Sequence, residues 1–249
     1  MFGLMGDANL FMVDSFVREC GGNFIPAAHE GSTILMAAAY AHVSGNVGVA
    51  TVTHGPGLTN CVTTLVEATR MHTPMVILAG DTPVANPRHL QSIDQRELVK
   101  VTGAGFVQLR SPTTVTEDVA QAFYRTRVER RPIVLNMPAD FMWQETDYAK
   151  KILDVFTKPG GVAEGDTLDN AIGMIASARR PLILAGGGAI HARDELVRLA
   201  DRLEAPLATT LRILARSSRS ALCPSLSPSK DRSSDTSASF RTITSSNFS

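Results

Sequence analysis

The chain has 249 residues, which is enough for one large domain or two ordinary ones. A hydrophobic content of 44% and a charged content of 19% are typical of a globular protein, and 24 basic residues balance 24 acidic ones. The zero net charge argues against a general nucleic-acid or anionic-membrane surface. Since we find neither an apolar run of the ~20 residues that span a bilayer nor a basic-then-apolar leader, we expect a cytoplasmic protein.

The spacing of cysteines and histidines gives no sign of a metal site. Cys20, Cys61 and Cys223 are odd in number and widely separated, so we expect reduced thiols and not a zinc cluster. The six histidines also lack ligand spacing. His29 and His54 are of interest because of their neighbours, although a local hydrogen bond is the favoured interpretation of each. We therefore assign no metal ligand.

The first part of the chain alternates short apolar runs with amphipathic or alanine-rich segments, the pattern of an α/β domain with a parallel sheet. Glycines mark the ends of its first helices, at Gly21-Gly22 and at Gly45. The predicted elements are, in chain order, a helix at Leu10–Cys20, a strand at Asn23–Ala28, a helix from Glu30 to Gly45, a strand at Val47–Val52 and a helix at Thr59–His72.

The alternation continues up to residue 149. Asp81–Gln95 is a polar loop with two prolines, too long for a plain connector and therefore a candidate for function. The other predicted elements are a strand at Met75–Ala79, an edge strand at Val101–Gln108, a helix at Thr116–Glu129 and a strand at Ile133–Met137.

Beyond residue 149 the pattern predicts a linker, a second unit and a tail. Pro159-Gly160-Gly161 marks residues 150–165 as the linker. Residues 166–211 form a second α/β unit, with a strand at Leu182–Ala185 between helices at Asp169–Arg179 and Asp194–Leu203. Residues 212–249 are serine-rich, so we expect a disordered tail there, as an out-of-frame or aberrantly terminated end would produce.

A set of motifs follows in a fixed order along residues 1–212, and their order carries more information than any one of them. They are Phe2-Gly3-Leu4-Met5-Gly6, His29-Glu30, Gly45-Asn46-Val47-Gly48-Val49, Gly55-Pro56-Gly57-Leu58-Thr59-Asn60, Thr73–Gly80 and Arg131–Pro138. In this order the motifs resemble the thiamine diphosphate-dependent enzymes, the superfamily of acetolactate synthase, benzoylformate decarboxylase and pyruvate oxidase. The resemblance implies a parallel sheet flanked by helices, followed by a truncated Rossmann-like α/β central domain.

The resemblance also implies a cofactor site. In the family a glutamate hydrogen-bonds the pyrimidine ring of thiamine diphosphate and exchanges a proton with it, and Glu30 matches that catalytic and cofactor-binding residue. Pro56 and Asn60 match the turn that lies against the same ring. As an isolated feature, a carboxylate at a helix start only complements the helix dipole, for about 1 kcal/mol or less.

Two further positions match the side of the site that faces the substrate. Thr53 precedes the Gly-Pro-Gly turn, and Gln91 matches a glutamine of the acetolactate synthases. Gln95 is an alternative to Gln91, and an ordinary solvated loop glutamine is the competing interpretation. The family's usual Gly-Tyr-Ala-Arg and Thr-Ser-Gly-Pro-Gly are replaced by motifs that contain His42 and His54, which argues against acetolactate synthase specificity itself.

The activity implied by the resemblance is carboligation or decarboxylation of 2-keto acids or related acyl compounds, by a homodimer or homotetramer. In the family, magnesium and the diphosphate are held by a Gly-Asp-Gly motif in a third domain. That motif does not occur among these 249 residues, so we expect a truncated chain with half a site, inactive by itself.

Two other interpretations compete with this one. The first is a non-catalytic fragment or pseudoenzyme that associates with a full-length homologue. The second is a nucleotide- or FAD-binding Rossmann protein, because Gly186-Gly187-Gly188 follows a strand. In some relatives the central domain binds FAD, with Gly187 and Gly188 as the matching candidates here, but a purely structural glycine turn is the favoured interpretation.

Overall fold

The computed structural model of the chain describes residues 1–86, 88–147, 151, 153 and 164–210. The chain divides into two compact units, Met1–Pro159 and Gly160–Ser249. The predicted linker at 150–165 lies mostly outside the described residues, and the predicted tail at 212–249 lies wholly outside them. The predicted domain boundaries therefore stay predictions.

The first unit is built on a sheet in which every described strand pair is parallel. Its strands are β1 (Phe2–Gly3), β2 (Ile25–Pro26), β3 (Gly48–Val52), β4 (Met75–Asp81), β5 (Gly105–Gln108) and β6 (Pro132–Pro138). The six strands lie in the order β2-β1-β3-β4-β6-β5. The predicted fold class, a parallel α/β sheet with helices around it, is confirmed.

Helices cover both faces of this sheet. They are α1 (Leu10–Arg18), α2 (Glu30–Ser44), α3 (Pro56–Thr59), α4 (Val62–Arg70), α5 (Gln95–Thr102) and α6 (Val115–Glu129). One hydrophobic core packs Ile34 of α2, Leu65 of α4 and Val99 of α5 against the sheet. A second core packs Ala122 of α6 against other strand residues.

The side chains of the central strands point alternately to the two faces of the sheet, which explains why there are two cores. In β4 the side chains of Met75 and Ile77 belong to the core with α2, while Val76 belongs to the core with α6. Successive side chains of a strand point to opposite faces, so a strand that is covered on both sides is apolar throughout. Every residue of β6 is buried, as this geometry requires.

The predicted edge strand at Val101–Gln108 is wrong in its first half. Only Gly105–Gln108 is a strand, and it does lie at the sheet edge, but Val101 belongs to α5. The Asp94 carboxylate accepts a hydrogen bond from the Glu97 amide and caps the start of α5, and Gly103 ends this helix with φ +77°. An N-cap aspartate with an acidic residue three positions later, followed by a closing glycine, is a helix signal that the strand interpretation overlooked.

The helix predicted at Thr59–His72 is present but shorter, because Thr59 belongs to the preceding short helix. The short helix α3 ends at Thr59, and α4 starts at Val62. At the break the amide of Cys61 donates to the carbonyl of Leu58, a bond of the tighter i to i+3 type that terminates an α-helix. Asn60 is therefore the C-cap that follows Thr59, the last residue of α3.

The second unit contains α7 (Asp166–Ala176), β7 (Ile183–Ala185), a 3₁₀ turn at Gly187–Ala192, α8 (Arg193–Leu203) and β8 (Leu207–Thr209). Strands β7 and β8 pair in parallel, so α8 forms the crossover of a β-α-β unit. The two helices and the strand predicted for this unit are confirmed within a few residues. In the part of the chain that the structure describes, no helix is long and apolar enough to cross a membrane.

Two helices end at a residue with left-handed backbone conformation, and we predict that substitutions at these two residues change stability in opposite directions. Arg130 ends α6 with φ 49°, and Gly45 ends α2 with φ 75° in open space. Because a Cβ atom disfavours this conformation, we expect Arg130→Gly to raise the free energy of unfolding by about 0.5–1 kcal/mol and Gly45→Ala to lower it by about 1 kcal/mol. Urea unfolding of both variants beside the wild type measures this, and changes of the same sign in both would contradict it.

Candidate functional site

The strand order reverses next to β1. After β1 the chain forms β2 on one side of it and then β3 on the other side. In open parallel sheets such a reversal leaves a crevice outside the carboxyl ends of the strands, and ligands bind there. Three segments meet at this crevice: the loop after β1, the start of α2 after β2 and the turn after β3.

The loop after β1 is fixed by one buried side chain, that of Asn9. Its Oδ1 accepts a hydrogen bond from the amide of Gly6 at 2.7 Å, and its Nδ2 donates to the carbonyl of Leu4 and to Oγ1 of Thr51, each at 3.1 Å. Since Thr51 belongs to β3, the amide of Asn9 joins the ends of the two strands on either side of the crevice. A satisfied buried amide of this kind rigidifies its surroundings.

Thr53, predicted to face the substrate, is wedged between two glycines. A Cβ atom at Gly6 would lie 2.7 Å from the Thr53 Cβ, and one at Gly57 would lie 2.8 Å from the Thr53 Cγ2. Its Oγ1 also accepts a hydrogen bond from the amide of Ala8 at 3.3 Å. The half-buried Thr53 therefore joins the β1 loop to the Gly-Pro-Gly turn, and its contact with substrate stays a prediction.

Glu30 is the first residue of α2, and its carboxylate lies on the turn after β3. His29 caps the helix, with its Nδ1 accepting from the amide of Gly31 at 3.0 Å. The Nδ2 of Asn60 donates to Glu30 Oε2 at 2.9 Å. A Cβ atom at Gly57 would lie 3.6 Å from Glu30 Oε1. Residues that are 30 positions apart in the sequence are thus brought together at the crevice.

Pro56 and Asn60 occupy the two ends of one short helix. Pro56 is the first residue of α3, where its missing N–H costs no hydrogen bond, and Asn60 is the C-cap. Both side chains are exposed, whereas Glu30 is half-buried. The structure therefore places the three predicted cofactor-binding residues around one exposed turn.

A buried thiol lies close to Glu30. Cys61 is fully buried, and its Sγ donates to the carbonyl of Gly57 at 3.4 Å. Burial, assisted by the negative charge of Glu30, raises the pKa of the Cys61 thiol to about 12. The negative charge of Glu30 therefore lies close enough to the buried thiol to oppose its ionisation.

A group of titratable residues next to Thr53 was not predicted. His54 is 2% exposed, its Nδ1 lies 3.0 Å from Oγ1 of Thr53, and its ring centroid lies 5.0 Å from that of His89. Burial and then the charge of His89 lower the pKa of His54, while Asp7 and Asp81 act in the opposite direction. A neutral imidazole is thus favoured beside Thr53. The only sequence signal was the position of His54 next to the Gly-Pro-Gly turn.

The two glutamines of the polar loop have different environments. Gln91 is half-buried, and its carbonyl packs on the turn so closely that a Cβ atom at Gly55 would lie 2.2 Å from it. Gln95 is only 3% exposed and starts α5, so the interpretation of Gln95 as a solvated loop residue is wrong. Its burial follows from hydrogen bonds to β4, β6 and the turn, which no local pattern reveals.

Within residues 164–210, the described part of the second unit, we find no defined site. Gly187 and Gly188 start the 3₁₀ turn after β7, and Cβ atoms at both positions would meet nothing within 4 Å. No close approach of another group requires glycine there, so FAD binding stays a prediction. Within the described ranges, no group of three or more His, Cys, Asp or Glu side chains is arranged to hold a metal ion.

Comparisons with known proteins agree with this geometry. The family profile described as "Thiamine pyrophosphate enzyme, N-terminal TPP binding domain" matches residues 1–98, and "Thiamine pyrophosphate enzyme, central domain" matches residues 168–217. The chain is 35% identical over 218 residues to a sulfoacetaldehyde acetyltransferase of Alcaligenes xylosoxydans xylosoxydans. The aligned region covers 84% of this chain and 35% of that protein.

Other similar proteins are named for different reactions. The chain is 34% identical over 222 residues to a probable acetolactate synthase large subunit of Methanococcus aeolicus, covering 85% of this chain and 37% of that protein. A thiamine diphosphate-dependent 4-hydroxybenzoylformate decarboxylase of Rhodococcus jostii shares its fold, with a TM-score of 0.67 at 21% identity over 84% of this chain and 41% of that chain. The chain thus spans about a third of the length of the curated relatives it matches.

The parallel sheet and its helices define the class, which is that of α/β proteins with the thiamine diphosphate-binding fold. Both family matches then identify the chain further. It belongs to the thiamine diphosphate-dependent enzymes, with the N-terminal pyrimidine-binding domain followed by part of the central domain.

The raised pKa of Cys61 predicts an alkaline loss of stability. The folded protein holds this thiol proton more tightly than the unfolded chain, so the stabilisation is complete below about pH 9 and is lost as the pH rises toward about 12. At about pH 10.5 the loss due to Cys61 should be about 2 kcal/mol. Cys61→Ala should flatten this part of the profile in urea unfolding, whereas the exposed control Cys20→Ala should not. Identical profiles for both variants would contradict the assignment.

Proposed function

We propose that residues 1–147 supply the pyrimidine-binding half of a thiamine diphosphate site, with Glu30 as the carboxylate that exchanges a proton with the cofactor. The observation that carries this proposal is the contact of Glu30 with the Gly57–Asn60 turn at the point where the strand order reverses. Family membership supports the cofactor, because both matched profiles describe thiamine pyrophosphate enzymes.

The residues present fit such a cofactor. Glu30 offers Oε1 on the side of Gly57, where the missing Cβ leaves room, and Asn60 holds Oε2 in place. The fully buried Cys61, whose thiol pKa is raised by burial and by the charge of Glu30, lies close to this carboxylate. When bound, thiamine diphosphate supplies a nucleophilic carbon and an electron sink for acyl-group chemistry. Glu30, Pro56 and Asn60 would bind and orient the pyrimidine ring.

The substrate side of the proposal rests on the segments that surround Thr53. Thr53 packs against Gly57 and Gln91 packs against Gly55, and His54, whose pKa is lowered by burial, lies 3.0 Å from Oγ1 of Thr53. The relatives are named as an acetyltransferase of sulfoacetaldehyde, acetolactate synthases and a probable 2-ketoarginine decarboxylase. We propose a 2-keto acid or related acyl substrate, with carboligation or decarboxylation as the reaction and Thr53 and Gln91 as substrate contacts.

The other half of the site has to come from elsewhere. The 249 residues contain no Gly-Asp-Gly motif for magnesium and diphosphate. We propose that polypeptide beyond these residues supplies it, across a subunit boundary in a homodimer or homotetramer. The 249-residue chain alone should then not turn over pyruvate. A non-catalytic chain that only associates with a full-length homologue is the competing outcome, and gel filtration with that homologue would reveal it.

Cofactor binding tests the role of Glu30 in the chain itself. Glu30→Gln keeps the shape of the side chain but removes its charge and its ability to take a proton, so we expect thiamine diphosphate affinity to fall about 10- to 100-fold. Isothermal titration with magnesium present measures this, with Glu67→Gln on the exposed face of α4 as the matched control. Equal affinities for wild type and Glu30→Gln would contradict the proposal.

Catalysis tests the same carboxylate in a complete site. Residues 1–210 can replace the corresponding part of a full-length relative, so that the missing half is supplied. In this chimaera Glu30→Gln should lower kcat by about 100-fold or more, the usual contribution of proton transfer by a positioned side chain. The Glu67→Gln chimaera should keep the parental kcat. An unchanged kcat with Glu30→Gln would remove Glu30 from the mechanism.

A further inference from the structure

We propose that Gln95 is a positioning residue that joins the polar loop at residues 82–94 to the turn after β3. The inference rests on the proposed function, because this turn carries the cofactor-binding residues Pro56 and Asn60 and the loop carries Gln91. The side chain of Gln95 hydrogen-bonds to Gly55, Gly80 and Asn136. Its role is to hold the two binding segments in one fixed arrangement.

Both the oxygen and the nitrogen of the Gln95 side-chain amide form hydrogen bonds. Its Oε1 accepts a hydrogen bond from the amide of Gly55 at 2.9 Å. Its Nε2 donates to the carbonyl of Gly80 at 2.9 Å and to Oδ1 of Asn136. A backbone N–H only donates and a backbone carbonyl only accepts, so the orientation of this amide is determined by its partners.

Asn136 extends the network across the sheet. It is 1% exposed, and its Nδ2 donates to Oδ2 of Asp81 and, at 3.0 Å, to Oε1 of Gln108. Asp81 ends β4, Gln108 ends β5 and Asn136 belongs to β6. Residues of three strands therefore share one partly buried polar network, and Gln95 connects this network to the turn.

The loop contacts Gly55 at two points. The carbonyl of Gln91 packs against the Cα of Gly55, and Gln95 accepts the hydrogen bond from its amide. Gly55 has φ 55°, a conformation that side chains rarely adopt, and a Cβ atom there would collide with Gln91. The turn can therefore not shift without moving residues 91–95. We infer that the cofactor turn and the substrate loop move as one body.

One substitution separates the two functions of the Gln95 amide. In Gln95→Glu an ionised carboxylate still accepts from the Gly55 amide, but its other oxygen then faces two acceptors, the carbonyl of Gly80 and Oδ1 of Asn136. Rotating the Asn136 amide does not help, because its oxygen would then face Asp81. Only the protonated acid restores a donor. The network should be intact at low pH and broken at high pH, since burial among acceptors raises the pKa of the new carboxyl group.

The experiment compares Gln95→Glu with Gln121→Glu, the same chemical change on the exposed face of α6. Amide hydrogen exchange of residues 53–60 is followed from about pH 5 to pH 8, and the exchange rate of each variant is divided by that of the wild type at the same pH. For Gln95→Glu we expect a rate ratio of about one at pH 5 and of about ten at pH 8. The dissociation constant for thiamine diphosphate with magnesium should rise about tenfold over the same range. Ratios that do not change with pH would overturn the proposal.

A second variant and the two readouts keep the outcomes distinct. Gln95→Met removes both hydrogen-bonding groups, so it should speed exchange and weaken binding equally at every pH. If Gln95→Glu alters exchange but not cofactor affinity, Gln95 is structural only and the positioning role is overturned. If a chimaera that carries residues 1–210 does not bind thiamine diphosphate, the proposed function fails, while the exchange measurement still decides whether Gln95 holds the turn.

Discussion

The hydrogen bond from Asn60 to Glu30 is the contact on which the account of this protein depends. It joins the start of α2 to the end of α3 across the crevice where the strand order reverses. The contact exists because β1 lies between β2 and β3, which brings the two helix ends to the same edge of the sheet. The fully buried thiol of Cys61 lies close to this carboxylate. Sheet topology, more than any local motif, thus creates a half-buried acid beside an exposed turn.

Most of the fold could be predicted from the sequence, for a physical reason. The strands β3, β4 and β6 are buried on both faces, so their apolar runs are continuous and easy to recognise. The failures fall where local signals compete. Apolar residues such as Val101 are compatible with strand and helix alike, and only the Asp94 cap and Gly103 distinguish the helix α5. The break between α3 and α4 at Asn60 likewise has no signature in the apolar spacing.

The sequence suggested some residues of the candidate site and gave no sign of others. Glu30, Pro56 and Asn60 could be selected as candidates because each belongs to a motif whose residues are adjacent in sequence, and their roles stay predictions. Gln95 was not recognisable as a buried residue, because its partners Gly80 and Asn136 lie 15 and 41 positions away. The same is true of His54, whose burial depends on a loop that returns over the turn. Long-range polar contacts of this kind leave no periodic trace in a sequence.

The central claim is that Glu30 touches the pyrimidine ring of thiamine diphosphate, and nitrogen NMR of the labelled cofactor tests this most directly. With the ring nitrogens labelled, binding to the wild-type chain should shift one ring-nitrogen resonance in the direction of protonation. Binding to Glu30→Gln should leave that resonance where it is in the free cofactor. The same shift in both proteins would contradict the account, because some group other than this carboxylate would then be the partner of the ring.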